Sequence, residues 1–218
     1  ESESLDAVVA ASGRRRFGLR RRAVPDGVDP ARTAQLARAG WADEDGRLTA
    51  TGTVLAEAIA GGRLVLTATL RRGREERTLL AYAAEDGVTA IVHEPALAEA
   101  AIRPTQRVVS LLRDARVPAF IASWVALRPD WTLEDHETVD EGEVEARVAG
   151  TSGSGAWTSI RLDAGDAPLR LLASPDQGLR IVRPAADGRL ELEMQSSILV
   201  FDRIVEMCAA SRERAVVG

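Results

Sequence analysis

Residues Leu36–Arg71, LARAGWADEDGRLTATGTVLAEAIAGGRLVLTATLR, decide the fold. They read as the end of one helix, a tight acidic turn, a second helix, a glycine break and the first strand of a meander. Upstream, Asp29 followed by Pro30 is an N-cap and first-turn proline, so the first helix runs from there to about Arg38. Gly40 suits its C-terminal cap, and Asp45-Gly46 is turn chemistry. Thr49 caps the second helix, which carries Leu55 and Ile59 on one face with Val54 and Ala58 beside them. Gly61-Gly62 stops it. Leu64, Leu66, Ala68 and Leu70 then alternate with Val65, Thr67, Thr69 and Arg71, the period of a strand.

Working outward, Arg72–Glu75 turns, Arg77–Ala84 returns, Asp86-Gly87 turns again and Val88–His93 is a third strand. Pro95–Ala101 opens a helical segment. Pro104–Ala115 reads as a helix with Val108, Val109, Leu111 and Leu112 as its apolar set, whereas Pro118–Leu127 fits helix or buried strand. Pro129–Glu145 is acidic and reads as an exposed connection, and Thr151–Gly155 as a flexible turn. The second half repeats the pattern of the first. Ala156–Asp163, Pro168–Ala173, Gly178–Arg183 and Arg189–Gln195 alternate as strands, and Ser196 or Ser197 caps a last helix to about Ser211 with Ile198, Phe201, Val205 and Cys208 on one face. On the N-terminal side, Ser2–Ala11 is a short helical candidate.

The expected class is therefore α+β. It is a quasi-twofold repeat of antiparallel β-meander modules sharing a central sheet and flanked by helices. One domain covers residues 1–218, with halves at about 31–128 and 151–213.

Composition bounds the function. The chain is 45% apolar and 28% charged, ordinary for a globular protein, and no apolar run approaches the roughly 18 residues of a membrane span. Glu1–Asp6 is polar and acidic, unlike the start of a signal peptide. All 28 basic residues are Arg, which with the abundant Ala, Gly and Val points to a GC-rich bacterial coding sequence. A net charge of −5 disfavours nucleic acid as a partner. The single Cys208 makes no internal disulfide, and the expected compartment is the cytoplasm.

No catalytic constellation stands out. His93 ends a strand and His136 sits among carboxylates in LEDHETVDE, neither beside a nucleophile. One Cys and two His do not make a zinc cluster, so no metal or cofactor is expected. The acidic groups Glu75-Glu76, Asp135/Glu137 and Asp140/Glu141/Glu143 read as solvated turns. SGSGAW at 152–157 lacks the lysine and helix of a phosphate loop. The expectation is a protein that is not an enzyme.

Two patches invite partners. On the second sheet the outward face carries Trp157, Arg161, Arg170, Leu172, Arg180 and Val182, the aromatic, aliphatic and Arg mixture of an interaction hot spot. If helices of the chain cover that face, it is core instead. Trp41, Trp124 and Trp131 read as core or edge packing. Arg14, Arg15, Arg16, Arg20, Arg21 and Arg22 form a cluster that suits an anionic partner, or a loop neutralised by the chain's own acids. A winged helix is the alternative for the opening stretch, with Arg71, Arg72, Arg74 and Arg77 on its hairpin. Its second helix, Thr51–Ala60, has no Arg and carries Glu57, which speaks against groove reading.

The run LARAGWADEDGRLTATGTVLAEAIAGGRLVLTATLRRGREERTLLAYAAEDGVTAIVHEP, residues 36–95, resembles the EspG family of ESX (type VII) secretion-associated chaperones of actinobacteria. The family's pattern there is a helix ending in an a-x-G-l-x-d-x-d-G-R-L turn, which this chain shares at Gly40, Asp43 and Asp45–Leu48, then a second helix, an Arg/Gly-rich hairpin and a strand after Asp-Gly. It is strongest over about residues 31–95, and the strands from about Ala156 with the closing helix also look like the family's. The resemblance implies a quasi-twofold α+β fold and a cytosolic chaperone without cofactor or chemistry. Its partner would be a helical secretion substrate of the PE–PPE kind, bound at its tip. It places no contact residue on this chain and leaves the oligomeric state, dimer included, open.

Overall fold

Residues 36–52 close into a unit held by their own turn chemistry. Gly40, at φ +74°, donates to the Ala37 carbonyl and ends helix α1, Pro30–Arg38. Asp43 Oδ1 accepts the N–H groups of Asp45 and Arg47 at 3.1 and 2.8 Å, and an Ala42–Leu48 bridge closes the turn. Thr49 caps helix α2, Ala50–Ala60. Its Oγ1 accepts the Gly52 N–H at 3.1 Å and donates to the Gly40 carbonyl at 2.7 Å. Gly52 is required by contact, since a Cβ there would stand 1.9 Å from the Trp41 carbonyl oxygen.

The computed structural model describes residues 30–60, 63–83, 87–96, 108–127, 135–152, 156–165, 168–174, 176 and 178–217. The expected helix Ser2–Ala11, the Arg14–Arg22 cluster, the Asp29 cap, Gly61-Gly62, most of Pro95–Ala101 and Trp131 lie outside them.

The strands are β1 Arg63–Arg72, β2 Glu75–Ala83, β3 Val88–His93, β4 Val108–Arg113, β5 His136–Val139, β6 Thr158–Asp163, β7 Leu169–Ser174, β8 Gly178–Pro184 and β9 Leu190–Met194. Among the described residues these nine form one antiparallel sheet in the order β4-β3-β2-β1-β6-β7-β8-β9-β5. From the central β1/β6 pair, where Thr69 faces Arg161, a four-strand meander runs outward on each side. The remaining helices are α3 Val117–Trp124, α4 Glu141–Ala149 and α5 Ser197–Val217. The fold is α+β, as expected.

Strand alternation sorts the residues onto two faces. Leu66, Ala68 and Leu70 of β1, Ile160 and Leu162 of β6, Leu171 of β7 and Leu179 of β8 pack with Val117 and Ile121 of α3 and Val200 and Ile204 of α5 in the main core. The opposite face is covered at its two ends. Leu55 of α2 packs on Ala90 of β3, with Trp41, Tyr82, Val109 and Leu111 around it. At the other end, Val144 and Val148 of α4 close a separate cluster with Trp157, Leu172, Val182 and Leu192.

Three expectations are corrected. Residues 108–113 of the expected Pro104–Ala115 helix form β4, paired with β3 from Val108↔His93 to Arg113↔Val88. Val-Val-Ser-Leu-Leu satisfies both periods, and an open strand edge beside a β-branched pair decides it. The acidic connection Pro129–Glu145 contains β5 and the start of α4. The last helix runs on to Val217, and among its described side chains Ser197, Val200, Ile204 and Ser211 are buried. Ile198 and Val205 of the expected face are 66% and 39% exposed. The helix carries two apolar stripes, Ile198-Phe201-Val205-Cys208 and Val200-Ile204-Met207; packing on the sheet takes the second together with Phe201 and Cys208, and leaves Ile198 and Val205 outside.

Candidate functional site

Residues 140–150, DEGEVEARVAG, carry a complete helix message. The Asp140 carboxylate accepts the Glu143 N–H at 2.7 Å, Glu141 and Glu143 occupy the first turn, and Gly150 at φ +76° ends the helix. Val144 and Val148, four apart, point at the sheet, where 1% or less of each is exposed. The signal was present in Asp140, Val144, Val148 and Gly150; reading the acidic residues as a solvated turn hid it.

Beneath α4 lies an ionic network built on an aromatic ring. Arg147 of α4 donates from both terminal nitrogens to the Glu137 carboxylate of β5 and also reaches Glu143. Arg180 of β8 contacts Asp135 at 2.8 Å and Glu137 at 3.2 Å. The two guanidinium carbons stand 5.0 and 5.2 Å from the centroid of the Trp157 ring, within cation–π range. The Arg147 hydrogen bond holds the Glu137 carboxyl below its ordinary range, against the opposing effect of burial, and the same bond raises Arg147. Arg180 Nε is buried and has no partner among the described residues. A cavity of about 490 Å³ opens beside the network, lined by Asp135, His136, Glu143, Arg147, Ser152 and Arg180, among others.

The expected outward hot spot is corrected by these contacts. Trp157, Leu172 and Arg180 do lie on the face away from the main core, yet they are 1%, 0% and 4% exposed: α4 roofs Trp157 and Leu172, and Arg180 is enclosed by Trp157, Asp135 and Glu137. Val182 is covered with them at 8%. Arg161 and Arg170 stay at the surface. Arg161 binds the Asp163 carboxylate at 2.8 and 3.1 Å, and Arg170 makes a two-nitrogen contact with Glu141 of α4. Those carboxylates raise both arginines, and Arg170 lowers Glu141 in return. The acidic groups read as solvated turns are therefore largely ion-paired: Asp135, Glu137, Glu141, Glu143 and Glu145 all meet arginines, Glu145 through Arg71.

Between the α2 end and the α4 end, the same face keeps a half-exposed strip along β1, β6 and β7. Register places Thr67 opposite Asp163, Thr69 opposite Arg161, Arg71 opposite Ser159, and Arg161 opposite Arg170. The Arg161 side chain is 60% exposed, Asp163 and Arg71 each 36%, and Arg170 28%. Sequence patterning put these residues on one face; it did not separate the roofed end from the open centre.

The other candidates are placed as follows. His93 lies edge-on to Phe120, with Nδ1 2.9 Å from the Glu94 carbonyl, and the Trp124 indole donates to the same carbonyl at 2.8 Å. Burial pushes the Cys208 thiol up to about 12, which suppresses thiolate chemistry. Among the described residues no group of three His, Cys, Asp or Glu side chains is placed to hold a metal ion, and no helix is long and apolar enough to cross a membrane. The hairpin carrying Arg71, Arg72, Arg74 and Arg77 is not a free wing: β1 pairs with β2 on one side and β6 on the other. The sequence matches no protein-family model, and comparison with curated proteins gives no match either.

Proposed function

We propose that this chain is a non-enzymatic chaperone or adaptor of the EspG kind, working in the cytoplasm. It holds a helical secretion substrate, such as a PE–PPE-like pair, before type VII export. The half-exposed strip at the centre of the sheet carries the reading. Thr67, Thr69 and Ser159 offer methyl and hydroxyl groups beside Arg71, Arg161, Asp163 and Arg170, a polar and amphipathic floor between two helical shoulders. Such a floor suits a helix laid across or end-on to it better than it suits a small molecule, which needs a deep and mostly apolar cleft. The likeness of residues 36–95 to the EspG family names the partner class.

Affinity capture from the native host with the full chain, followed by mass spectrometry, tests the proposal. The expected result is a secreted, helical protein pair in stoichiometric amount. Recovery of nucleic acid with steep salt dependence, and no such pair, overturns it.

A further inference from the structure

We propose that β4 is a dimer interface, pairing antiparallel with β4 of a second copy of this chain about a two-fold axis through Ser110. Edge strands present unpaired backbone N–H and C=O groups, and folded chains blunt them with Pro, Lys, a bulge or a short length. The two edges of this sheet differ in that respect. β5 has four residues and includes His136 and Glu137, and Glu137 is held by Arg147 and Arg180. β4 has six, Val-Val-Ser-Leu-Leu-Arg, with no Pro and no charge before Arg113, and its register against β3 runs without a bulge. Among the described residues β3 is its one strand neighbour. Thr89, Ala90, Ile91 and Val92 of β3 are buried, whereas no residue of β4 is, and Val108 is 41% exposed. An aliphatic, regular edge left half-buried is a template for another strand.

The order of side chains along β4 points to a copy of itself as that strand. Residues opposite one another across a sheet lie on the same face. Leu112 packs against the main core, which puts Val108, Ser110 and Leu112 on that face, while Val109 and Leu111 pack with Leu55 of α2 on the other. An antiparallel pair that keeps both faces continuous must therefore centre on a residue, not between two. Centred on Ser110, Val108 meets Leu112 of the second copy, Val109 meets its Leu111, and the two Ser110 side chains meet on the axis. Five consecutive residues then find apolar or hydroxyl partners, and no charge is buried. Centred on Leu111, the register sets Arg113 against Val109; centred on Val109, it leaves Leu112 beyond the partner strand. Pairing through Ser110 joins the two nine-stranded sheets into one. β1 and its copy then lie seven strand spacings apart (three out to β4, one across the axis, three back), a distance of about 34 Å. The Thr69–Arg161 strips of both copies open on the same face, so one dimer offers two partner floors.

Three measurements on the purified full chain test this. Sedimentation velocity over a concentration series should show a monomer–dimer equilibrium, with micromolar affinity because one strand pair is a small interface. A monomer at every concentration up to about 500 µM overturns the proposal. So does a monomer whose β4 amides exchange hydrogen as slowly as those of β3, which would assign the edge to another segment of this chain. Ser110→Cys places two thiols opposite each other across the axis, at a Cα separation of about 4.5–5.5 Å, within reach of a disulfide. Copper-phenanthroline oxidation should cross-link it. The same treatment should not cross-link Val108→Cys, whose Cα atoms lie about 14 Å apart in this register, nor the wild type, which has Cys208 alone. A dimeric Ser110→Cys protein that does not cross-link, or equal cross-linking of Val108→Cys, overturns the proposal. Ser110→Lys sets two ammonium groups opposite each other and should give a monomer with wild-type circular dichroism; a folded Ser110→Lys dimer overturns the proposal. If that variant does not fold, the cross-link decides. None of these measurements uses a cellular partner, so their failure leaves the chaperone reading standing, and a failed capture leaves this one standing.

Discussion

Replacing Trp157 with alanine removes the floor on which α4, Arg147 and Arg180 all rest. The side chain is 1% exposed, and truncating a buried Trp costs about 3–5 kcal/mol in lost transfer energy and residual cavity. Two guanidinium groups at 5.0 and 5.2 Å lose their aromatic partner as well, each contact being worth about 0.5–2 kcal/mol. Partial collapse of α4 into the space offsets some of this, so a net loss of about 4 kcal/mol is expected, out of the roughly 5–15 kcal/mol typical of a folded domain. With a urea slope of about 2–3 kcal/mol/M, the unfolding midpoint falls by about 1.5–2 M, read by far-UV circular dichroism. Trp157→Phe keeps a ring face and should lose about half as much. A shift below about 0.3 M for Trp157→Ala would refute the reasoning, because it would mean that α4 does not roof this side chain.

Other perturbations follow the same geometry. Glu137→Gln withdraws the carboxylate shared by Arg147 and Arg180; with Glu137 one-third exposed, the loss is about 1–2 kcal/mol rather than the full cost of breaking a buried pair, measured by denaturant titration. Glu137 faces Arg147 and Arg180, with Asp135 as the like charge nearby, and Glu141 faces Arg170 and Arg71. Both carboxyls sit below the ordinary 4.5 in the folded chain, so their contribution is complete above about pH 4.5 and disappears as pH falls through the lower folded values. Urea midpoints measured from pH 6 to 3 should therefore drop in that acid window, and less so in Glu137→Gln. Gly52→Ala forces Trp41 away from α2 and should lower Tm by at least about 4 °C, consistent with an overpacking cost of a few kcal/mol.

Much of the fold was legible because local chemistry and global topology agree. Gly40, Asp43, Gly46 and Thr49 each do in the folded chain what their residue types favour, and strands β1, β6 and β9 follow their alternation. The misreadings share a cause. Val108–Arg113 and the two stripes of α5 fit more than one packing, and only tertiary contacts choose between them. At the candidate site, alternation identified the correct face for Trp157, Leu172 and Arg180. It could not indicate that a helix from residues 141–149 returns over them, since those glutamates look solvated until Arg71, Arg147 and Arg170 are brought alongside. Burial of a face is a property of the whole chain, whereas facing is a property of the strand.

The central claim, that the open β1–β6–β7 strip is the partner-binding floor, is tested most directly by Arg161→Glu. The Arg161 side chain is 60% exposed and, among the described residues, its hydrogen bonds go to Asp163 on its own strand, so the variant should fold with an unchanged urea midpoint. In side-by-side capture from the native host it should lose the helical secreted pair that the wild type recovers. A folded Arg161→Glu protein that retains the pair in wild-type amount would contradict the account.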